Sequence, residues 1–233
     1  MGTLRMPDHL QTWCEVRRTV PWQTTRTPDV SGSGPLHVLR DGADHYIRTV
    51  EHARDPARAQ RLRAALGKVR VDAAAGQSLN FALLGGWQRL VLDTPHAPFR
   101  AGPAFAKAGR ERYGLDAHTP QRFDACLAQS EDPDLPLPAR AARAYLDVCF
   151  FHPFEDGNAR SAFLALIFVL ARSGVVLDQV GPIRCVQRPA DDPEGALALA
   201  NLVTVLINAT HRRHAHGTTD TSLRPESQSR APS

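Results

Sequence analysis

His152, Asp156, Asn158 and Arg160 fall within a nine-residue stretch, HPFEDGNAR, and each brings a different reactive or ion-binding group. An imidazole that is neutral near physiological pH takes a proton from a hydroxyl. Asp156 offers a hard oxygen ligand, and magnesium typically takes one or two carboxylates plus substrate phosphates. Gly157 permits a tight turn, and the free N–H groups at a following helix start, with the helix dipole, make a nest for phosphate. Arg160 adds a planar, permanently charged donor set for phosphate oxygens. A base, a metal ligand and a phosphate cradle so close together point to phosphoryl or nucleotidyl transfer.

Two helices must hold that stretch. Ala142, Tyr145, Leu146 and Cys149 recur at helical spacing, with Pro138 suited to a first turn, so a buried helix is predicted over 138–151. His152 precedes Pro153 and is pushed out of the helical region, which forces a turn. Asp156 and Asn158 are natural caps for a second helix over 158–173, with Phe163, Leu166, Ile167 and Leu170 as its apolar stripe and Gly174 as its stop.

The stretch resembles the signature of the Fic/Doc superfamily, H-x-F-x-[D/E]-G-N-x-R. That resemblance implies an all-α, Fic-type helical domain with a small β-hairpin flap, using ATP or another activated nucleotide to modify a target-protein hydroxyl. It implies His152 as general base, Phe154 as loop anchor, Asp156 as magnesium ligand, and Gly157, Asn158, Ala159 and Arg160 around the nucleotide phosphates. Two positions depart from the pattern. Ala159 replaces the usual glycine, and Phe163 stands where many AMP-transferring members have a second arginine.

Transfer of AMP from ATP to a Ser, Thr or Tyr hydroxyl is the leading expectation, with ATP as substrate and Mg2+ as cofactor. The alternative is a Doc-like kinase toxin that moves phosphate to Ser or Thr; a further one is a non-catalytic nucleotide- or partner-binding module. Neither Ala190–Gly195 nor Ser222–Ser227 matches the family's inhibitory pattern, so an antitoxin-like inhibitor is expected to be separate if it exists.

Composition agrees with a globular domain: 42% hydrophobic, 22% charged and a net charge of +4. Basic residues interleave with acids, so a nucleic-acid partner is not expected. The four cysteines lie far apart without CxxC spacing, which weakens disulfide and zinc readings. The opening MGTLRMPDHLQTW has no apolar core, the longest apolar run is too short for a bilayer, and a cytoplasmic location is expected.

Residues 1–38 read as an arm, with Trp13 and Trp22 filling a groove of the domain and SGSGP at 31–35 as a link. The Fic domain is placed at 39–212 and a disordered tail at 213–233. Helical patterning runs from 42 to 69 with a break near Asp55 and Pro56. A further helix is expected over 72–84, ended by Gly85 and Gly86, and then a hairpin starting with strand-like Trp87–Leu92 and turning through DTPHAP. The resemblance places the target-binding flap there. The basic run FRAGPAFAKAGRERYG at 99–114, with Lys107, Arg110 and Arg112 beside Phe105 and Tyr113, is read as a solvated face or a wall of the nucleotide or target groove. Helices over 119–129 and 194–209 complete the reading.

Overall fold

In the computed structural model of the chain, residues 6–28 and 40–221 are described, without side chains for 215–221. The expected SGSGP link, the segment Ser222–Ser227 and the last residues of the tail lie outside them. The architecture is helical with one small antiparallel hairpin.

Its centre is the pair α7 (Leu137–Phe151) and α8 (Asn158–Arg172), joined by the motif loop. Both bounds lie within one residue of the periodicity. α8 is buried on every face from Arg160 to Leu170, beyond the one stripe its spacing suggests. A helix apolar all round must be central, and α8 is: α7 packs on one side, α4 (Pro56–Ala74) and α5 (Phe81–Leu92) on others. α10 (Pro193–Thr221) covers α7, and its backbone stays helical past the expected start of the tail.

Ahead of α4 come α2 (Gly42–Tyr46), a wider π-helical segment (Ile47–Glu51) and α3 (His52–Arg54). The break at Asp55 is where sequence put it, because Asp55 caps α4 by accepting from the Arg58 N–H and Pro56 opens the helix. α1 (His9–Thr19) lies against α7. Trp13 and Trp22 are buried there as expected. Asp147 of α7, fully enclosed, accepts from Trp13 Nε1 at 2.9 Å and from Arg17 Nε and Nη2 at 2.7 and 2.9 Å.

Two expectations fail between 72 and 99. α4 runs on to Ala74, the chain turns at Ala75–Gly76, and Asn80 caps a new helix by accepting from the Leu83 N–H. That helix, α5, passes through Gly85 and Gly86 and takes up the supposed strand Trp87–Leu92. Leu84, Trp87, Gln88 and Val91 are its buried positions, an i, i+3, i+4, i+7 set that a short apolar run conceals. The two glycines cost about 1 kcal/mol each in propensity, which packing on α4 and α8 overrides.

The hairpin exists, but further on. β1 (Ala104–Ala106) pairs antiparallel with β2 (Glu111–Tyr113), so the basic stretch 99–114 forms the hairpin that was expected near 87–99. α6 (Thr119–Ala128) and the short α9 (Gly181–Cys185) complete the fold. Among the described residues no helix is long and apolar enough to cross a membrane.

Candidate functional site

α7 ends at His152, which adopts a left-handed conformation (φ 48°, ψ 55°) and so starts the turn its proline neighbour requires. Its Nδ1 lies 2.8 Å from the Cys149 carbonyl. A carbonyl only accepts, so Nδ1 carries the proton and Nε2 keeps its lone pair. Burial holds the imidazole below its ordinary pKa, opposed by the Cys149 carbonyl and assisted by Arg100. The ring is therefore neutral at pH 7 and presents a base at Nε2.

Phe154 is buried and stacks on Phe81 with centroids 5.4 Å apart, as an anchor should. Asn158 closes the loop from inside: its Oδ1 accepts from the Phe154 N–H at 2.9 Å and its Nδ2 donates to the Phe154 carbonyl at 2.7 Å. Its side chain is thus structural, and its backbone N–H is what remains for an anion. Gly157 takes φ 78° at the start of α8, and a Cβ there would stand 2.6 Å from Gln88 Nε2. Only glycine meets both demands. In the first turn the Arg160 and Ser161 N–H groups donate to the Gly157 carbonyl at 2.9 and 3.0 Å, which leaves those of Asn158 and Ala159 without an intrahelical acceptor.

Arg160 lies beneath the loop and not on its surface. Its Nη1 donates to the Val91 carbonyl at 3.2 Å and its Nη2 reaches Asp156 Oδ2 at 3.2 Å. Burial lowers its pKa from the ordinary arginine value, Arg58 adds to that, and Asp156 opposes it. Asp156 itself is 75% exposed at the side chain.

These residues share a cavity of about 450 Å³ lined by His152, by the loop from Glu155 to Arg160, by Glu51, Arg54, Asp55 and Arg58 from α3, α4 and the segment before them, by Phe105 of β1 and by Arg184 of α9. A larger groove of about 910 Å³ between α4 and α5 carries none of the motif residues. The chemistry therefore places the site in the smaller cavity. Of the basic stretch, only Phe105 reaches it. Lys107 pairs with Glu111 at 2.6 Å, and Arg112 with Asp8 at 2.9 Å.

Four further side chains shape the site: sequence reasoning missed Gln88 and Arg184, and reached Arg100 and Tyr113 only as members of the run read as a solvated face or a groove wall. Gln88, enclosed in α5, donates from Nε2 to the Asp156 carbonyl at 2.6 Å and accepts from the Ser161 hydroxyl. Its one signal was a polar residue inside an apolar run. Arg100 donates from Nε to the His152 carbonyl at 2.9 Å and from its terminal nitrogens to the carbonyls of Gly102, Gly114 and Phe151, tying hairpin to loop. Tyr113 of β2 stacks on the His152 ring. Arg184 donates to the Ala159 carbonyl at 2.6 Å and to Glu51 at 3.1 Å, and its guanidinium lies 5.4 Å from the centroid of Phe163. Phe163 is core, and a cation from another element stands over it. No local pattern assigns these contacts to Arg100, Tyr113 or Arg184, because each acts across the fold.

Asp156 is a usable magnesium ligand by charge and exposure. Among the described residues, however, no group of three or more His, Cys, Asp or Glu side chains gathers to hold a metal. A magnesium ion here would need phosphate oxygens to complete its shell, which fits an ion delivered with a nucleotide.

Comparison with known proteins follows the same lines. A profile of the Fic/DOC family matches residues 86–170. Among solved structures, the chain resembles a Fic domain containing signaling protein from Bacteroides thetaiotaomicron (TM-score 0.53, 13% identity, 94% of this chain and 92% of that one). It also resembles IbpAFic2 covalently tethered to Cdc42 (TM-score 0.53, 12% identity, 84% and 70%) and residues 134–508 of Fic-1 from C. elegans (TM-score 0.51, 14% identity, 92% and 72%). At such identities the likeness establishes the fold. No curated protein matches in sequence.

Proposed function

Because residues 86–170 match the Fic/DOC family profile, we propose that the protein transfers AMP from ATP to a Ser, Thr or Tyr hydroxyl of a target protein. One observation carries the reading: a neutral imidazole with a free Nε2 and a glycine-started helix N-terminus flanked by guanidinium groups line the same cavity. In this reading Nε2 of His152 takes the proton of the target hydroxyl as its oxygen attacks the α-phosphorus, and the bond from that phosphorus to the α,β-bridging oxygen breaks to release pyrophosphate. The N–H groups at Asn158 and Ala159 receive the charge that builds on the phosphate oxygens. Arg160 and Arg184 flank them, and an arriving anion offsets the unfavourable burial of Arg160. Magnesium, held by Asp156 and the phosphates, would neutralise further phosphate charge.

The hairpin supports a protein target. β2 faces the arm through the bridge between Arg112 and Asp8, whereas β1 pairs on one side with β2 and carries Phe105, 56% exposed, into the cavity wall. An extended segment added to β1 would gain affinity from its main chain. The solved complex of IbpAFic2 with Cdc42 gives a precedent for a protein partner on this fold.

Phe163, buried away from the cavity, favours one second reading, γ-phosphoryl transfer by a Doc-like route. Incubating the protein and its His152→Ala variant with magnesium and ATP labelled at the α or γ phosphate, in lysate of the source cells, separates the two. Histidine-dependent α label on protein is expected, with a rate that falls only on the acid side of the ordinary imidazole value of 6.5, because the His152 pKa is lowered. Histidine-dependent γ label alone moves the protein to the kinase reading. Labelling retained in His152→Ala, or absent altogether, refutes both.

A further inference from the structure

His152 is oriented from two directions, and only one of them belongs to the helix that carries it. On the helix side, the Cys149 carbonyl fixes Nδ1 at 2.8 Å. A single hydrogen bond at a helix end leaves a ring free to tilt and to exchange which nitrogen it offers. On the other side, Tyr113 lies nearly flat on the imidazole, with centroids 4.4 Å apart and planes at 16°.

Tyr113 is itself buried and braced. Its hydroxyl donates to Glu111 Oε2 at 2.7 Å, and Lys107 holds the other oxygen of that carboxylate at 2.6 Å. Next to it, the Gly114 N–H donates to Asp8 Oδ1 at 2.9 Å, and Arg100 joins the Gly114 carbonyl to those of Phe151 and His152. The strand bearing the phenol and the loop bearing the imidazole are therefore fastened together beside the ring pair. The charged groups that act on the imidazole are Arg100, from the loop after α5, and Glu111, from the hairpin; Cys149 below it offers a carbonyl.

We propose that Tyr113 is a positioning residue for His152: its ring holds the imidazole so that Nδ1 faces Cys149 and Nε2 faces the cavity. The hairpin then sets the base as well as flanking the site of the target. The stacked ring does this work; the hydroxyl is engaged with Glu111 and steadies the strand. The inference rests on His152 being the base.

The test needs no target protein. Two-bond proton–nitrogen NMR correlations report the tautomer and titration of each imidazole, and His152→Ala identifies the signals of His152 among the ten histidines. The wild type and Tyr113→Phe should show a single Nδ1-protonated form titrating below 6.5. Tyr113→Leu should show mixed tautomers and a pKa moved up toward that value, with Mg-ATP affinity unchanged. In the labelling assay it should lose on the order of 10²-fold in kcat without a change in KM for ATP, the scale of a base displaced by about an ångström. Tyr113→Met provides the same comparison with a flexible apolar chain if the leucine variant does not fold. A folded Tyr113→Leu or Tyr113→Met protein with wild-type tautomer and titration overturns the proposal, as does Tyr113→Phe behaving like Tyr113→Leu. A wild-type protein with the expected imidazole signature and no labelling of any protein counts against the proposed function and leaves the positioning role standing.

Discussion

Gln88 joins the two halves of the motif, and its loss has a magnitude that the contacts determine. Gln88→Leu removes the donor to the Asp156 carbonyl and the acceptor of the Ser161 hydroxyl, both on a side chain with no solvent exposure. Leaving a buried polar group unpaired costs about 1–3 kcal/mol, and the Asp156 carbonyl, only partly buried, adds about 1 kcal/mol to the buried Ser161 hydroxyl, so the two orphans give about 2–4 kcal/mol. Ser161→Ala strands only the Gln88 carbonyl oxygen, about 1–3 kcal/mol. In the double variant the hydroxyl and the amide are both gone, and only the partly buried Asp156 carbonyl is left without a partner, about 1 kcal/mol.

The two changes should therefore be strongly non-additive: the double variant is more stable than Gln88→Leu, although it carries one more substitution. Urea unfolding of all four proteins, compared at constant m-value, measures this directly. The same Gln88→Leu protein should bind Mg-ATP more weakly, since the amide packs against Gly157 at the start of the phosphate nest. Single effects that add to within about 0.5 kcal/mol would show that Gln88 and Ser161 do not share one bond network, and would refute the account of how the loop is held.

Arg184→Ala should weaken Mg-ATP binding about tenfold to a hundredfold, the equivalent of one charge-assisted hydrogen bond of about 1.5–3 kcal/mol; Arg184→Lys should fall between, because it keeps the charge and loses the planar fork. Calorimetric titration checks both, and unchanged affinity in Arg184→Ala removes the side chain from the nucleotide site. Asp147→Ala should cost about 3–5 kcal/mol in denaturant unfolding by leaving Arg17 buried without its counter-ion. It should also shift Trp13 fluorescence to the red as α1 loosens, and a loss below about 1 kcal/mol would show that the arm is held by apolar contacts alone.

What sequence made visible follows a physical line. α7 and α8 were legible to within a residue because their periodic runs are long and the loop between them holds Pro153 and Gly157, whose backbone limits are local properties. α5 was not, because Trp87–Leu92 satisfies strand propensity and helix spacing equally and only burial on α8 decides between them. The hairpin was hidden for the opposite reason. Its strands, AFA and ERY, have little strand propensity, and its turn takes positive φ at Lys107 and Ala108 before reaching Gly109, without the Asn-Gly or Asp-Gly pair that announces such turns. Among candidate site residues, those of the motif lie together in sequence and share one cavity, whereas the groups that brace them from α5, the hairpin and α9 act through contacts that span 25 to 73 residues of chain and leave no local pattern for their roles.

The nine-residue motif therefore contains two kinds of residue that a linear reading merges. The Asn158 side chain faces inward, toward the Phe154 backbone, and with Gln88 it builds the loop, while Arg160 is held from beneath by Val91 and Asp156 and borders the cavity. The His152 imidazole, the exposed Asp156 carboxylate and the N–H groups of Asn158 and Ala159 belong to residues that line the cavity. Inward-facing groups act on stability and nucleotide affinity together, because the same hydrogen bonds that fold the loop shape the nest. Outward-facing groups are free of that coupling, so His152 can be removed with the fold intact. Asp156 bridges the two sets, its carbonyl bound by Gln88 and its carboxylate touching Arg160. Replacing it by Asn keeps the backbone bond and removes the charge, which makes Asp156→Asn the substitution that separates metal or phosphate chemistry from loop architecture at a single position.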